Sequence, residues 1–283
     1  MKSEASSERA IVRVRDGKVV DSAALDRVVV EAPLELRVGG KPLTVVMRTP
    51  GHDEELARGF LYSEGMIGSL ADLLFVRRPE GLTGDEADNV LDLMLAPPPV
   101  SLGGLGKSTA PQRPAFERSF VASSSCGVCG KTSIAQLAIT SPLVQSPLRV
   151  SRAILSSLPE RLRASQAVFR ETGGLHASAI FDAQGEPLAA REDVGRHNAL
   201  DKLIGWALAE ARLPLSAGIL MVSGRVSFEI LQKAIVAGLP VVAAVSAPSS
   251  LAVDLAERFG VTLVGFLRGA SMNVYAHAER VVD

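Results

Sequence analysis

Cys126 and Cys129 are the only thiols in the 283-residue chain, and they stand two residues apart within Ser123 Ser124 Ser125 Cys126 Gly127 Val128 Cys129 Gly130 Lys131. The thiolate is the reactive form of cysteine, and a helix start beside a lysine favours it over the thiol. Here a helix capped by Thr132 or Ser133 is expected after the motif, and Lys131 adjoins it. The glycines around the pair leave the sulfurs reachable, which two small core residues would not require. Three chemistries compete. A dithiol oxidoreductase fits the spacing, but no aromatic residue precedes Cys126 and the motif lies well into the chain. A zinc site needs two further ligands from His52, His176, His197 or His277, none at finger spacing from the cysteines. A persulfide carrier needs one exposed, low-pKa cysteine and a nearby acceptor.

Other polar clusters could supply that acceptor site. In Thr172 Gly173 Gly174 Leu175 His176 Ala177, the imidazole enters a strand, where it can act as proton donor or orienting group, or serve structure alone. Arg191 Glu192 Asp193 Val194 Gly195 Arg196 His197 Asn198 opens a helix that Asp193 can cap, so the segment is either a site wall or a solvated helix start. Ser223, Gly224 and Arg225, then Ser246 to Ser249, then Arg268, Gly269, Ala270 and Ser271 each follow an expected strand. Loops after parallel strands gather along one sheet edge, where ligands of open α/β sheets bind. Two arginines there, with helix starts at Ser227 and Ser250, suit phosphate or pyrophosphate.

The elements that must position these groups fall into two parts. The stretch 96–114 holds Pro97, Pro98, Pro99, Pro111 and Pro114 with three glycines, which marks a linker between a small N-terminal α+β domain (1–95) and a larger α/β domain (115–283). In the first, Val28 to Leu36 and Leu43 to Met47 are expected strands joined through Gly39 Gly40, with Pro33 placing the first at an edge, and Asp53 to Glu64 a helix. In the second, Phe120 to Ser123 precedes the cysteine loop, and Leu175 to Asp182 with Pro187 to Arg191 forms a hairpin. A helix over Gly195 to Arg212 follows. Then strands Gly218–Val222, Val241–Val245 and Val261–Leu267 alternate with helices Ser227–Ala237 and Ser250–Phe259. Such crossovers require parallel strands in the same sheet.

Composition narrows the class further. With 47% hydrophobic and 22% charged residues the chain can build a substantial core, and a formal charge of −1 gives no global attraction to nucleic acid or anionic lipid. The polar Met1 to Ala10 lacks a secretory pattern, and glycine, prolines and serines interrupt the uncharged run 234–253. A cytoplasmic protein without a nucleic-acid or membrane partner is expected.

Taken together, the cysteine segment, Thr172 to Ala177, Arg191 to Lys202, Ser223 Gly224 Arg225, Ala247 to Ser250, Gly265 to Arg268 and Thr49 to Asp53 closely resemble the formate dehydrogenase accessory family FdhD, over roughly residues 27–283. The resemblance implies a sulfur carrier that accepts persulfide sulfur from a cysteine desulfurase. It would pass the sulfur to the bis-molybdopterin guanine dinucleotide molybdenum cofactor before insertion into formate dehydrogenase, and would act as a homodimer. On that pattern Cys126 carries the persulfide with Cys129 assisting, and the cofactor contact maps to Phe266, Leu267, Arg268, Gly269, Ala270 and Ser271. A non-carrying cofactor chaperone is the rival. The resemblance also implies a larger domain like a cytidine deaminase, three-layered with a mixed sheet. In this sequence the cysteines precede His176, Ser125 replaces the deaminase proline, and Ser178 stands where the deaminase glutamate should be, so catalytic zinc is not expected.

Overall fold

The computed structural model describes residues 5–97 and 141–283, so Cys126, Cys129, the strand expected at Phe120 to Ser123 and the helix after the cysteines lie outside the described residues. The same holds for the linker 96–114 apart from Ala96 and Pro97. Among the described residues no helix is long and apolar enough to cross a membrane.

The chain opens with an antiparallel ribbon that the sequence-based expectation lacks. Strands β1 (Ser6–Arg15) and β2 (Lys18–Val29) turn through Asp16 and Gly17, both at positive φ, the geometry that a two-residue hairpin demands. The expected single strand Val28 to Leu36 is therefore two. β2 ends at Val29 and β3 (Ala32–Val38) begins after a break at Val30 and Glu31. β3 pairs with β4 (Lys41–Arg48) through Gly39 and Gly40, both left-handed. Helix α1 (Asp53–Ser63), β5 (Leu73–Arg77), α2 (Asp85–Asn89) and β6 (Val90–Leu95) follow.

The resulting sheet has the order β4-β3-β6-β5, so β3 is interior rather than at the edge that Pro33 suggested. The proline is tolerated because β6 pairs with β3 only from Glu35 onward, leaving Pro33 beside a single neighbouring strand. Leu34 and Leu36 are fully buried and meet Leu56 and Leu61 of α1, which gives this small sheet its own core.

The larger part runs through β7 (Val150–Ser151), α3 (Arg152–Ser165), α4 (Ala167–Thr172), β8 (His176–Phe181) and β9 (Pro187–Asp193). It continues with α5 (Arg196–Ala209), β10 (Ile219–Val222), α6 (Phe228–Val236), β11 (Val241–Ala244) and α7 (Ser250–Phe259). β12 (Thr262–Arg268), β13 (Ser271–Ala276) and β14 (Val281–Val282) complete it. Six strands form a mixed sheet in the order β13-β12-β11-β10-β8-β9, with β10, β11 and β12 parallel and both flanks antiparallel.

Alternation along these strands builds two cores. Leu220, Val222, Val242 and Ala244 face α5, α6 and α7, whereas Ile219, Met221, Val241 and Ala243 face α3, so helices cover both sides of the sheet. The helix expected to run to Arg212 ends at Ala209. Ala211, assigned to its apolar face, is instead exposed at φ 52°.

Helices α1 and α5 join the two sheets by backbone contact. A Cβ at Gly59 would lie 1.8 Å from the Asp201 carbonyl oxygen, and one at Gly205 would lie 1.8 Å from that of Glu55. No side chain fits at either point. Gly205→Ala is expected to lower unfolding free energy by about 3 kcal/mol in urea titration, since overpacking an immobile contact forces main-chain displacement. Gly39→Ala, in an open turn, should lose less.

Candidate functional site

The register of β8 builds the site. Because β8 runs antiparallel to β10, with Ser178 opposite Val222, its first residue His176 lies beyond the C-terminal end of β10, beside Ser223 and Gly224. Ser223 clasps the strand start: its N–H donates to the Ala177 carbonyl at 2.9 Å and its Oγ accepts from the Ala177 N–H at 2.8 Å. A Cβ at Gly224 would lie 3.3 Å from His176 Nδ1 and 3.9 Å from Arg196 Cδ, so imidazole and arginine converge on this glycine. Burial pushes the His176 pKa down, and the positive charges of Arg196, His197 and Arg225 push it further, against the weaker pull of Asp193.

The neighbouring loops are stitched into one edge. The Val226 N–H donates to Ala247 O, the Ser249 N–H donates to Val226 O, and the Phe266 N–H donates to Ser246 O. At the end of β12 the ladder shifts register between Gly265 and Arg268, and Phe266 takes φ 52° with 40% of its surface exposed. Leu267 points into the core. Arg268, Gly269, Ala270 and Ser271 form an exposed turn. Three strand spacings separate β8 from β12, which puts His176 about 14 Å from this turn. The edge thus gathers His176, Ser223, Gly224 and Arg225 at one point and Phe266 to Ser271 at another.

Behind His176 stands a buried ion pair that sequence reasoning missed. Lys202 Nζ lies 2.7 Å from Asp193 Oδ2, with the side chains 1% and 0% exposed. The remaining valences are filled. Asp193 Oδ1 accepts from the Gly195 N–H and from Asn198 Nδ2, Oδ2 accepts from the Thr49 N–H, and Lys202 donates to Thr49 O. Asp193 therefore does not cap a solvated helix; Gly195 is the N-cap. One signal was legible: a lysine and an aspartate, Asp201 and Lys202, inside an otherwise apolar helix.

A second link joins α1 to β9. Arg191 grips Glu55 with bonds of 2.5 and 2.7 Å, and His52 Nδ1 approaches Glu55 to 3.1 Å. Burial opposes ionisation of Glu55, yet these partners outweigh it and bring its pKa from 4.5 to about 2. Nearby, His197 Nε2 is 3.1 Å from Glu229 Oε2, which also accepts from Ser227 Oγ. No group of three or more His, Cys, Asp or Glu suited to hold a metal occurs among the described residues.

Comparison with known proteins adds kinship to this geometry. The model of the FdhD/NarQ family matches residues 29–282. The chain is 52% identical to the sulfur carrier protein FdhD of Streptomyces coelicolor over 98% of this chain and 95% of that one. It is 43% identical to that of Saccharolobus solfataricus over 96% of each. A crystal structure from Desulfotalea psychrophila, assigned as a formate dehydrogenase accessory protein, covers 99% of this chain and 100% of its own with a TM-score of 0.74 at 22% identity, so the two share a fold.

Two outcomes test the supports of the site. Asp193→Asn strands the Lys202 ammonium and should cost about 3–5 kcal/mol in urea unfolding, and Asp193→Asn with Lys202→Met should recover part of it. The depressed Glu55 pKa contributes stability that is complete above pH 4.5 and is lost as pH falls toward 2. Glu55→Gln should therefore flatten that acid limb of the stability profile.

Proposed function

The chain belongs to the FdhD/NarQ family, and from that premise we propose that it is a persulfide-carrying sulfurtransferase that serves formate dehydrogenase. Cys126 takes the outer sulfur from the persulfide of a cysteine desulfurase: its thiolate attacks that sulfur, the donor's S–S bond breaks, and the donor cysteine leaves as thiolate. The sulfur is then delivered to molybdenum in the bis-molybdopterin guanine dinucleotide cofactor, bound as substrate, before insertion into the dehydrogenase. Cys129 assists, and the protein works in the cytoplasm as a homodimer.

The observation that carries this reading is identity of about one half, over nearly the whole chain, with proteins named sulfur carriers. Geometry supports the acceptor. The strand-end edge offers an exposed aromatic at Phe266 and exposed cations at Arg225 and Arg268, which suit a large, phosphate-bearing ligand. Cys126 and Cys129 enter on sequence alone.

Incubation with a cysteine desulfurase and cysteine, followed by peptide mass spectrometry, should show one added sulfur on the peptide holding Cys126 and none there in Cys126→Ala. Absence of the sulfur on the native peptide sinks the carrier model. A Cys126→Ala variant that still activates the dehydrogenase would point instead to a cofactor chaperone. A reversible Cys126–Cys129 disulfide in redox titration would point to a dithiol oxidoreductase.

A further inference from the structure

We infer that Arg196, with His176 and Arg225, forms a binding site for a tetrahedral oxyanion of the phosphate class at Gly224. Arg196 is the residue that defines it. Its Nε is buried and has no hydrogen-bond partner among the described residues, although buried polar atoms are nearly always bonded and a guanidinium is always charged. An unpartnered cation beside a buried imidazole and a third basic group destabilises the folded state unless an anion joins them.

The charge inventory leaves that anion to come from outside. The positive groups acting on His176 are Arg196, His197 and Arg225. Of the carboxylates close by, Asp193 is engaged by Lys202, Asn198 and two backbone N–H groups, and Glu229 is engaged by His197 and Ser227. Neither is left to neutralise Arg196 and Arg225. The absent side chain at Gly224 matters for the same reason. Any Cβ there would press on His176 Nδ1 at 3.3 Å and approach the Arg196 stem, so glycine keeps the space between them open to a ligand.

A phosphate matches this donor set. The arginines offer paired N–H groups in planar forks, and His176, held toward its neutral form, contributes a single N–H and can gain a proton once a dianion arrives. The assignment rests on the proposed function in one respect, that the acceptor carries phosphate groups.

Calorimetric titration of the full chain at low ionic strength with inorganic phosphate, GMP and guanosine tests it. Phosphate and GMP should bind, and Arg196→Gln should weaken both by about tenfold or more, as loss of a charge-assisted bond implies. Arg225→Gln, an exposed position that leaves packing intact, should act in the same direction. Tighter binding of GMP than of phosphate would identify a nucleotide phosphate as the source, and equal affinities would identify the free ion. Phosphate should also raise the titration midpoint of the His176 ring, read by NMR, in the native chain and not in Arg196→Gln. Failure of phosphate to bind, affinities unchanged in both variants, or GMP binding no tighter than guanosine overturns the assignment. Sulfur loading of Cys126, measured on the same proteins, reports on the carrier model separately.

Discussion

The placement of the candidate site depends on the ion pair between Asp193 and Lys202, because three segments that are far apart in sequence meet only there. Thr49 comes from the loop after β4, Asp193 ends β9, and Lys202 lies one turn and a half into α5. Burying two charges is costly, and the cost is offset only when every remaining donor and acceptor finds a partner. That condition is met here: backbone groups of Thr49 and Gly195 and the Asn198 amide complete the shell. The same bonds hold the start of α5, and therefore Arg196, against the first residue of β8.

Glycine packing makes this convergence possible. With no side chain at Gly59 or Gly205, α1 and α5 approach until backbone meets backbone, and the small sheet is drawn against the larger one. A second buried cluster spans the same junction, where Lys233 of α6 binds Asp201 of α5 at 2.8 Å and Ser63 of α1 donates to the same carboxylate. Polar pairing thus sets register across an interface whose closeness the glycines allow.

The mixed sheet explains why a histidine at the beginning of one strand can share a site with loops at the ends of others. Three parallel strands deliver their C-terminal loops to one edge, and an antiparallel neighbour delivers its N-terminus to that edge. A chain with formal charge −1 can therefore concentrate positive groups locally, at Arg196, Arg225 and Arg268, without any global electrostatic attraction.

Much of this was legible from residue order. The alternation of buried runs and amphipathic helices between 195 and 267, the Gly39 Gly40 hairpin and the helix after Asp53 depend on local periodicity and turn chemistry, which a single chain displays directly. The cysteine motif was equally plain from its residues. The ribbon of β1 and β2 escaped notice because its strands carry scattered valines, among them Val12, Val14 and Val19, that stay exposed rather than lining a core. Pro33 misled because edge and interior are properties of the assembled sheet. Asp193 could be recognised as a polar residue before a helix. That it would be dehydrated and matched to Lys202, leaving Arg196 without a partner, was decided by tertiary packing, since the energy of a buried charge depends on neighbours that sequence proximity does not reveal.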